Sequence, residues 1–367
     1  MLDLKVNFES WNRQRKTRRS VLFALGYSLV LSTTLFGCST ATNTPGQQVA
    51  TPDSTKTPNT TTTDKKVVRI VRSKQLSALA ILEKKGDLEK RLEPLGFKVE
   101  WPEFAAGPQQ LEALNAGGLD IASTAESPPI FSQAAGADLV YLATTTPSGK
   151  AISLLVPVNS PVKSIADLKG KKIAFQKASI GHYLLVKALE NAGLKLTDVQ
   201  SIFLPPPDAN VAFSQGKVDG WFIWDPFVTR AEQKKIGRVL LDGGKLRDTG
   251  NFYSTSRQFY QSNPEVIKIF LEELEKAEIW TKEHPQEVAQ ILAPVTQLDP
   301  PTLEKLHSKY DYGLLPITEK TITKQQEVAD KWFSLGLIPK KVDVKVGFLT
   351  PEEYAKITPK EVLDKKP

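Results

Sequence analysis

The chain has 367 residues, 40% of them hydrophobic, which is enough to form one or two globular domains with substantial cores. Its formal net charge is +7, but the first 37 residues carry six basic and two acidic side chains, and the rest carries 42 basic against 39 acidic ones. This nearly even balance of basic and acidic side chains argues against a nucleic-acid partner. Cys38 is the one cysteine, so the chain has no second thiol for an internal disulfide.

The first 37 residues have the pattern of a signal peptide of lipoprotein type. Basic residues at positions 13–19 precede an apolar run at 21–31 that is too short to cross a membrane. The segment ends in Leu-Phe-Gly-Cys, which resembles a bacterial lipobox. In a lipobox the cysteine takes a diacylglyceryl group, so the resemblance implies a lipid anchor on Cys38. A twin-arginine pair in the basic stretch leaves Sec and Tat export both open.

A tether and a long alternation of strands and helices follow. Residues 38–66 are rich in threonine and have almost nothing apolar to bury, which predicts a disordered tether of about 30 Å. Strand patterns then lie at 67–72, 97–101, 119–123, 139–145, 151–157, 171–175, 199–204 and 218–224. Helix patterns begin at about residue 77 and lie at 108–117, 128–136, 181–193, 207–216 and 263–283. This alternation predicts an α/β fold with largely parallel sheets, and the C-terminal third is mostly helical.

The sequence lacks the common catalytic and cofactor motifs. It has no phosphate-binding loop of the Gly-x-x-x-x-Gly-Lys-Ser/Thr type and no Gly-x-Ser-x-Gly nucleophile elbow. Its three histidines, His182, His284 and His307, have no metal-ligand spacing. The single thiol lies in the leader and is excluded as a nucleophile. We therefore expect a protein that is not an enzyme and holds no metal or cofactor.

Four segments place polar or small residues where a strand gives way to a helix, at 73–75, 105–108, 126–129 and 177–182. Helix N-termini have free N–H donors and a partial positive charge, and ligands of α/β sheets lie beyond the carboxyl ends of the strands, so these segments predict an anion site. Ser179 is a candidate N-cap, Gly181 would let a ligand approach the backbone, and His182 would aim a ring N–H into the opening. Ser179 acting only as a cap, and His182 as a satisfied core or surface residue, are the alternatives.

Trp224 and Asp225 end a strand directly before a further helix start. The indole would give a large apolar wall with one donor, suited to an organic group beside an anion. The alternative is that Trp224 belongs to the core and Asp225 is an N-cap.

Three long blocks, 103–143, 162–194 and 203–227, resemble the periplasmic alkanesulfonate-binding proteins of ABC importers. The resemblance runs from about residue 67 through the helix at 263–283, and more loosely to the end. It implies the type II periplasmic-binding-protein fold, with two α/β lobes of mostly parallel sheets joined by two crossing strands. The lobes would be 67–155 plus 251–367, and 156–250. The crossings would lie near 154–158 and 251–255.

The resemblance also implies the ligand, its contacts and the partners. The implied ligand-binding residues are Gln75, Glu126, Ser127, Ser179, His182, Trp224, Asp225 and Tyr253. A sulfonate has one negative charge and three acceptor oxygens, which neutral donors and helix ends can satisfy without an arginine cluster. Lys74 and Lys177 would add compensating charge unless they are solvated. The partners would be an ABC permease and ATPase, the membrane through the lipid, and no nucleic acid, and we expect a monomer.

Several alternatives stay open. The two carboxylates Glu126 and Asp225 would oppose an anion unless they orient donors or face an amine, which leaves a zwitterion such as taurine. Ala125 stands where relatives commonly have glycine, so the resemblance does not extend to close backbone approach at that loop. Nitrate and bicarbonate are further candidate ligands, although they need less apolar wall. A pyrimidine-synthesis enzyme on the same fold, or a sensory or structural surface protein, would be a different class.

Overall fold

The computed structural model describes residues 65–365, which belong to one compact unit, Thr62–Pro367. The predicted leader, tether and lipid anchor on Cys38 lie outside these residues, apart from the last two tether positions. The strands are β1 Lys66–Arg69, β2 Phe97–Glu100, β3 Ala122–Thr124, β4 Leu139–Thr145, β5 Ile152–Pro157, β6 Lys172–Phe175, β7 Gln200–Phe203, β8 Gly220–Trp224, β9 Gly237–Asp242, β10 Phe252–Ser256 and β11 Leu314–Leu315. No helix within 65–365 is long and apolar enough to span a bilayer.

Helices lie between and after the strands, as the alternation predicts. They are α1 Ala78–Lys85, α2 Asp87–Leu92, α3 Gly107–Asn115, α4 Ser127–Ala134, α5 Ile180–Asn191, α6 Pro206–Ser214, α7 Phe227–Gln233, α8 Arg257–Ser262, α9 Pro264–Glu283, α10 Pro285–Thr296, α11 Pro300–His307, α12 Glu319–Ser334, α13 Pro351–Ile357 and α14 Lys360–Leu363. The α/β class is confirmed.

The strands form two separate sheet systems. One contains the pair β1-β2 and a sheet of order β11-β4-β10-β3, and a bridge between Ile70 and Ile121 lies between their neighbouring ends. The other is a five-stranded sheet of order β7-β6-β8-β5-β9. Pairing is parallel for β1/β2, β6/β7 and β6/β8, the strands that alternate with helices. It is antiparallel wherever β5, β10 or β11 takes part, so the sheets are more mixed than predicted.

The chain passes between the two sheet systems at residues 146–151 and returns at 243–251. The resemblance placed the first passage near residues 154–158. Because β5 pairs along its length with β8 and β9, these residues belong to the second sheet, and the passage lies before them. The two passages touch backbone to backbone, because a Cβ on Gly149 would lie 2.4 Å from the oxygen of Gly243. The second passage also packs against the end of β4, because a Cβ on Gly250 would lie 1.7 Å from the oxygen of Thr145. Glycine is therefore required where these segments meet.

Local sequence explains where several helices begin. The hydroxyl of Ser77 accepts a hydrogen bond from a first-turn N–H of α1, and that of Ser179 does the same for α5. Pro264 occupies the first turn of α9, where a proline costs no intrahelical hydrogen bond. Asn263 stands at the N-cap position, but its side chain bonds no first-turn N–H and instead donates to the oxygen of Phe259 at 3.4 Å.

Helix α12, in the C-terminal part of the chain, contacts elements attached to both sheet systems. Its buried Trp332 packs against Phe131 of α4 at 5.2 Å between ring centroids and against His182 of α5 at 4.7 Å. Lys331 on the same helix forms an ion pair with Glu190 at 3.0 Å. The segment after residue 251, predicted to belong with the first sheet system, therefore also covers part of the second.

Candidate functional site

A cavity of about 380 Å³ lies at the carboxyl ends of β3, β4 and β8. This volume is in the range of small-molecule sites, and its place matches the rule for α/β sheets. Residues from each of the four predicted strand-to-helix segments line it, including Ser73, Ala105, Pro128 and Ser179. The first turns of α1, α3, α4 and α5 therefore reach the cavity, as does the start of α7. Their N–H donors can satisfy the oxygens of an anion.

Four of the predicted ligand-binding residues line the cavity: Gln75, Ser179, Trp224 and Tyr253. Trp224 is the last residue of β8 and Tyr253 lies within β10, so they approach from the two sheet systems. Phe104 and Phe227 also line the cavity, so it has apolar as well as polar walls. This arrangement can hold an anion with a short organic tail.

The loop before α5 is held by hydrogen bonds of its own. The Ser179 hydroxyl donates to the oxygen of Gln176 at 2.7 Å and accepts from the N–H of His182 at 3.4 Å, so Ser179 is an N-cap as well as a lining residue. Ala178 has a φ of 62°, a left-handed conformation that a residue with a Cβ rarely adopts. Such backbone strain is concentrated at functional loops.

His182 does not line the cavity. Its ring is buried between Phe175, at 4.8 Å between centroids, and Trp332 of α12. The Nδ1 atom accepts a hydrogen bond from the N–H of Ala178 at 3.3 Å, which fixes the strained loop. Burial, reinforced by the charge of Lys177, lowers the pKa of His182 to about 3, so the ring is neutral. The histidine supports the loop from behind.

Asp225 likewise lies behind the wall. One carboxylate oxygen accepts from the N–H and the hydroxyl of Thr229, at 2.9 and 2.6 Å, and the other forms an ion pair with Lys309 at 3.3 Å. These contacts stabilise the start of α7. Its neighbour Pro226 lines the cavity.

Gly181 is needed for packing. A Cβ there would lie 2.9 Å from the backbone oxygen of Phe222, so the missing side chain lets α5 approach β8. Sequence reasoning predicted that glycine at this position lets a ligand approach the backbone, whereas in the structure it lets two elements of the protein pack together. Ala125 lines the cavity although it carries a methyl group.

Glu126 and Ser127 are buried at the start of α4. The Ser127 hydroxyl accepts from Nε1 of Trp332 at 3.3 Å. Glu126 pairs with Arg247 at 3.2 Å, and this arginine does line the cavity. These two residues therefore contact groups that support or form the wall.

Three arginines line the cavity: Arg72, which forms an ion pair with Glu83 at 2.8 Å, and Arg230 and Arg247, which sequence reasoning missed. Arg230 stacks over Phe227 at 4.7 Å and donates to Gln297 at 3.2 Å, and burial lowers its pKa. No motif marks either arginine. Arg247 lies in a passage between sheets where the pattern predicts no element, so its place depends on the tertiary fold.

The lysines proposed from sequence are less suited to compensating a ligand's charge. Lys74 lines the cavity but forms an ion pair with Glu103 at 2.6 Å, and both side chains are about half exposed. The ammonium of Lys177 lies 5.7 Å from the centre of the Phe203 ring. The buried cation at the cavity is an arginine.

Glu278 of α9 is an acidic group in the same lining. Its carboxylate accepts from the N–H of Gly313 at 3.0 Å. Burial, with the negative charge of Glu275 adding to it, raises the pKa of Glu278 to about 7. The charge of this wall therefore changes near neutral pH.

Residues 67–295 match the NMT1-like family. The chain is 43% identical over 267 residues to an Escherichia coli K12 protein named as an aliphatic sulfonates-binding protein, with 72% of this chain and 83% of that protein covered. A Bacillus subtilis 168 protein of the same name is 37% identical over 282 residues, 76% of this chain and 85% of its own length. The fold is similar to the solved structure of the alkanesulfonate-binding protein SsuA from Xanthomonas axonopodis pv. citri bound to MOPS. That match has a TM-score of 0.75 at 35% identity and covers 78% of this chain and 99% of the other.

Proposed function

The chain belongs to the NMT1-like family and, within it, to the aliphatic sulfonate-binding proteins of ABC importers, and on that premise we propose that it captures alkanesulfonates and delivers them to an ABC permease and its ATPase. Binding makes no covalent change to the ligand. The ligand supplies sulfur to the cell after import.

The observation that carries the proposal is the meeting of helix N-termini, a buried arginine and aromatic side chains at one cavity. A sulfonate presents one negative charge and three acceptor oxygens, which suit several N–H donors and one cation. Trp224, Phe104 and Phe227 offer an apolar surface for an alkyl chain. Nitrate and bicarbonate have no such chain, so this surface favours the sulfonate over them.

The composition of the chain supports a role in sulfur acquisition. Its one methionine is Met1 and its one cysteine is Cys38, so residues 39–367 contain no sulfur atom. A cell that is short of sulfur can make this part of the receptor without using sulfur amino acids. Only the initiating residue and the proposed lipidation site need them.

We propose that two lobes close on the ligand, 67–155 plus 251–367 and 156–250, with the first boundary moved to before Ile152 because β5 lies in the second sheet. The passages at 146–151 and 243–251 would form the hinge. When periplasmic binding proteins close, a few residues in loops or at the ends of strands and helices take up the change in backbone angles.

Export and anchoring complete the proposal. The leader would direct the chain across the cytoplasmic membrane, and a lipid on Cys38 would hold it at the membrane, facing the periplasm. The tether of residues 38–66 would leave the folded part free to reach the permease, and the receptor would act as a monomer.

Isothermal titration calorimetry on the purified protein tests the ligand assignment, in a Tris buffer free of sulfonates. We expect saturable binding of ethane- to hexanesulfonate and no binding of nitrate or bicarbonate. Taurine is included as the zwitterionic competitor. Binding of nitrate or bicarbonate alone would overturn the assignment.

A further inference from the structure

We propose that the buried pair Arg247–Glu126 sets the charge of the ligand that the cavity accepts: Arg247 binds the anionic head group, and Glu126 restricts the site to monoanions. The inference rests on the proposed function and assigns the residues responsible for its charge specificity. Sequence reasoning named Glu126 as a ligand-binding residue but did not predict its ion pair with Arg247.

Arg247 has donors to spare. Its side chain is 4% exposed, and its Nη2 donates to Oε2 of Glu126 at 3.2 Å and to Oδ1 of Asn251 at 2.8 Å. A guanidinium has five N–H donors. Within residues 65–365 its buried Nε has no acceptor. A buried donor without an acceptor is costly and rare in native proteins, and an anion in the cavity would supply one.

Glu126 is held rigidly beside this arginine. It is fully buried at the N-cap position of α4, and its backbone oxygen accepts from Nε2 of Gln325 at 2.8 Å. Burial raises the pKa of the Glu126 carboxyl, while the charge of Arg247 acts in the opposite direction. The 3.2 Å contact places the Glu126 carboxyl group directly beside the cation that a ligand would contact.

The balance of charge then selects the ligand. Ionised Glu126 cancels the charge of Arg247, and Glu83 pairs with Arg72, a third arginine of the lining, at 2.8 Å. A bound monoanion is then compensated by helix N-termini and by Arg230. A dianion would bring a second negative charge into the same low-dielectric space. Glu278 faces this space from α9 and adds to the repulsion when ionised, whereas Asp225 is paired with Lys309. The site should therefore reject dianions until Glu126 is neutralised.

Calorimetric titration with ethanesulfonate and with ethylphosphonate, above the second ionisation of the phosphonate, tests the inference. Glu126→Gln should gain about tenfold or more in affinity for the phosphonate dianion and a smaller factor, about threefold, for the ethanesulfonate monoanion, because the removed charge repels a dianion about twice as strongly. Arg247→Gln should lose about 100-fold in ethanesulfonate affinity, and Arg247→Lys should lose less because it keeps the charge without the planar donors. The matched controls Arg257→Gln and Asp138→Asn break an exposed ion pair outside the cavity and should bind like the wild type.

Arg247→Gln leaves Glu126 buried without its partner and can fail to fold. The double variant Glu126→Gln/Arg247→Gln removes both charges and should fold while still losing about 100-fold in ethanesulfonate affinity. If the wild type binds ethanesulfonate and either folded Arg247→Gln variant binds it equally well, the inference is overturned and the proposed function stands. No phosphonate gain in Glu126→Gln overturns the part assigned to Glu126. A wild type that binds no sulfonate overturns the proposed function, and the inference with it.

Discussion

Replacing Glu278 by glutamine tests whether a carboxyl in the cavity wall titrates near neutral pH. Glu278 is buried on α9 and accepts a hydrogen bond from the N–H of Gly313 at 3.0 Å. Burial is the largest cause that raises its pKa from 4.5 to about 7, and Glu275 contributes in the same direction, while the Gly313 hydrogen bond and Lys365 oppose it. A glutamine can keep the acceptor for Gly313 but cannot ionise.

The magnitude follows from linkage between protonation and folding. Because the folded-state pKa of Glu278 is above its unfolded-state value, the stability that this group contributes is fully present below about pH 4.5 and is lost as the pH rises through about 7. At about 1.4 kcal/mol for each pH unit between the two pKa values, the loss is about 3 kcal/mol. For a chain of this size that corresponds to roughly 6 °C in Tm. Glu278→Gln should therefore match the wild type near pH 4.5 and exceed its Tm by about this amount at pH 8.5.

Thermal unfolding followed by circular dichroism between pH 4.5 and 8.5 measures the difference. Glu265→Gln is the matched control, because Glu265 is exposed on the same helix and should follow the wild-type curve. The charge on Glu278 should also weaken anion binding above pH 7 in the wild type and not in the variant. Wild-type and Glu278→Gln curves that stay parallel across the whole range would refute the reasoning.

Three further predictions address the hinge, the apolar wall and the anchor. Gly250→Ala should destabilise the protein by about 1–3 kcal/mol in thermal unfolding, because the added Cβ would clash with the backbone of Thr145. Gly118→Ala is the control, because a Cβ there would make only ordinary contacts, and equal Tm values for the two variants would contradict the packing argument. Trp224→Ala should weaken hexanesulfonate binding about 10- to 100-fold while Trp224→Phe keeps most of it, as measured by calorimetry; unchanged affinity in the alanine variant would rule out the apolar wall. Cys38→Ser should move the protein from the membrane fraction to the soluble periplasmic fraction, and an unchanged distribution would count against lipidation.

Sequence reasoning succeeded where local physics decides the structure. The alternating strand and helix patterns predicted most elements within a few residues, because hydrophobic period and turn residues act over short distances. Ser179 was recognisable as an N-cap for the same reason, and the structure confirms it. The segments at 73–75, 105–108 and 126–129 follow strands of the first sheet system, and the segment at 177–182 follows β6 of the second. They line one cavity because ligands of α/β sheets lie beyond the carboxyl ends of the strands, and both sheet systems contribute such ends here.

It did not predict the contacts that depend on distant parts of the chain. Glu126 and Arg247 are 121 positions apart, and only the folded sheets bring them together. His182 has a local position that suits a ligand, but Trp332, from a helix near the C-terminus, covers its ring. Asp225 is likewise occupied by Thr229 and Lys309. Whether a side chain at a helix start meets ligand or protein is decided by what the rest of the chain packs against it.

A crystal structure of the protein with hexanesulfonate, grown without sulfonate buffers and measured at long wavelength, tests the central claim most directly. Because residues 39–367 contain no sulfur, a strong anomalous sulfur peak within the folded part must come from the ligand. We predict one such peak in the cavity, with sulfonate oxygens in hydrogen-bond distance of helix N-terminal N–H groups and of Arg247. An anomalous peak outside the cavity, or a cavity without one at saturating ligand, would contradict the account.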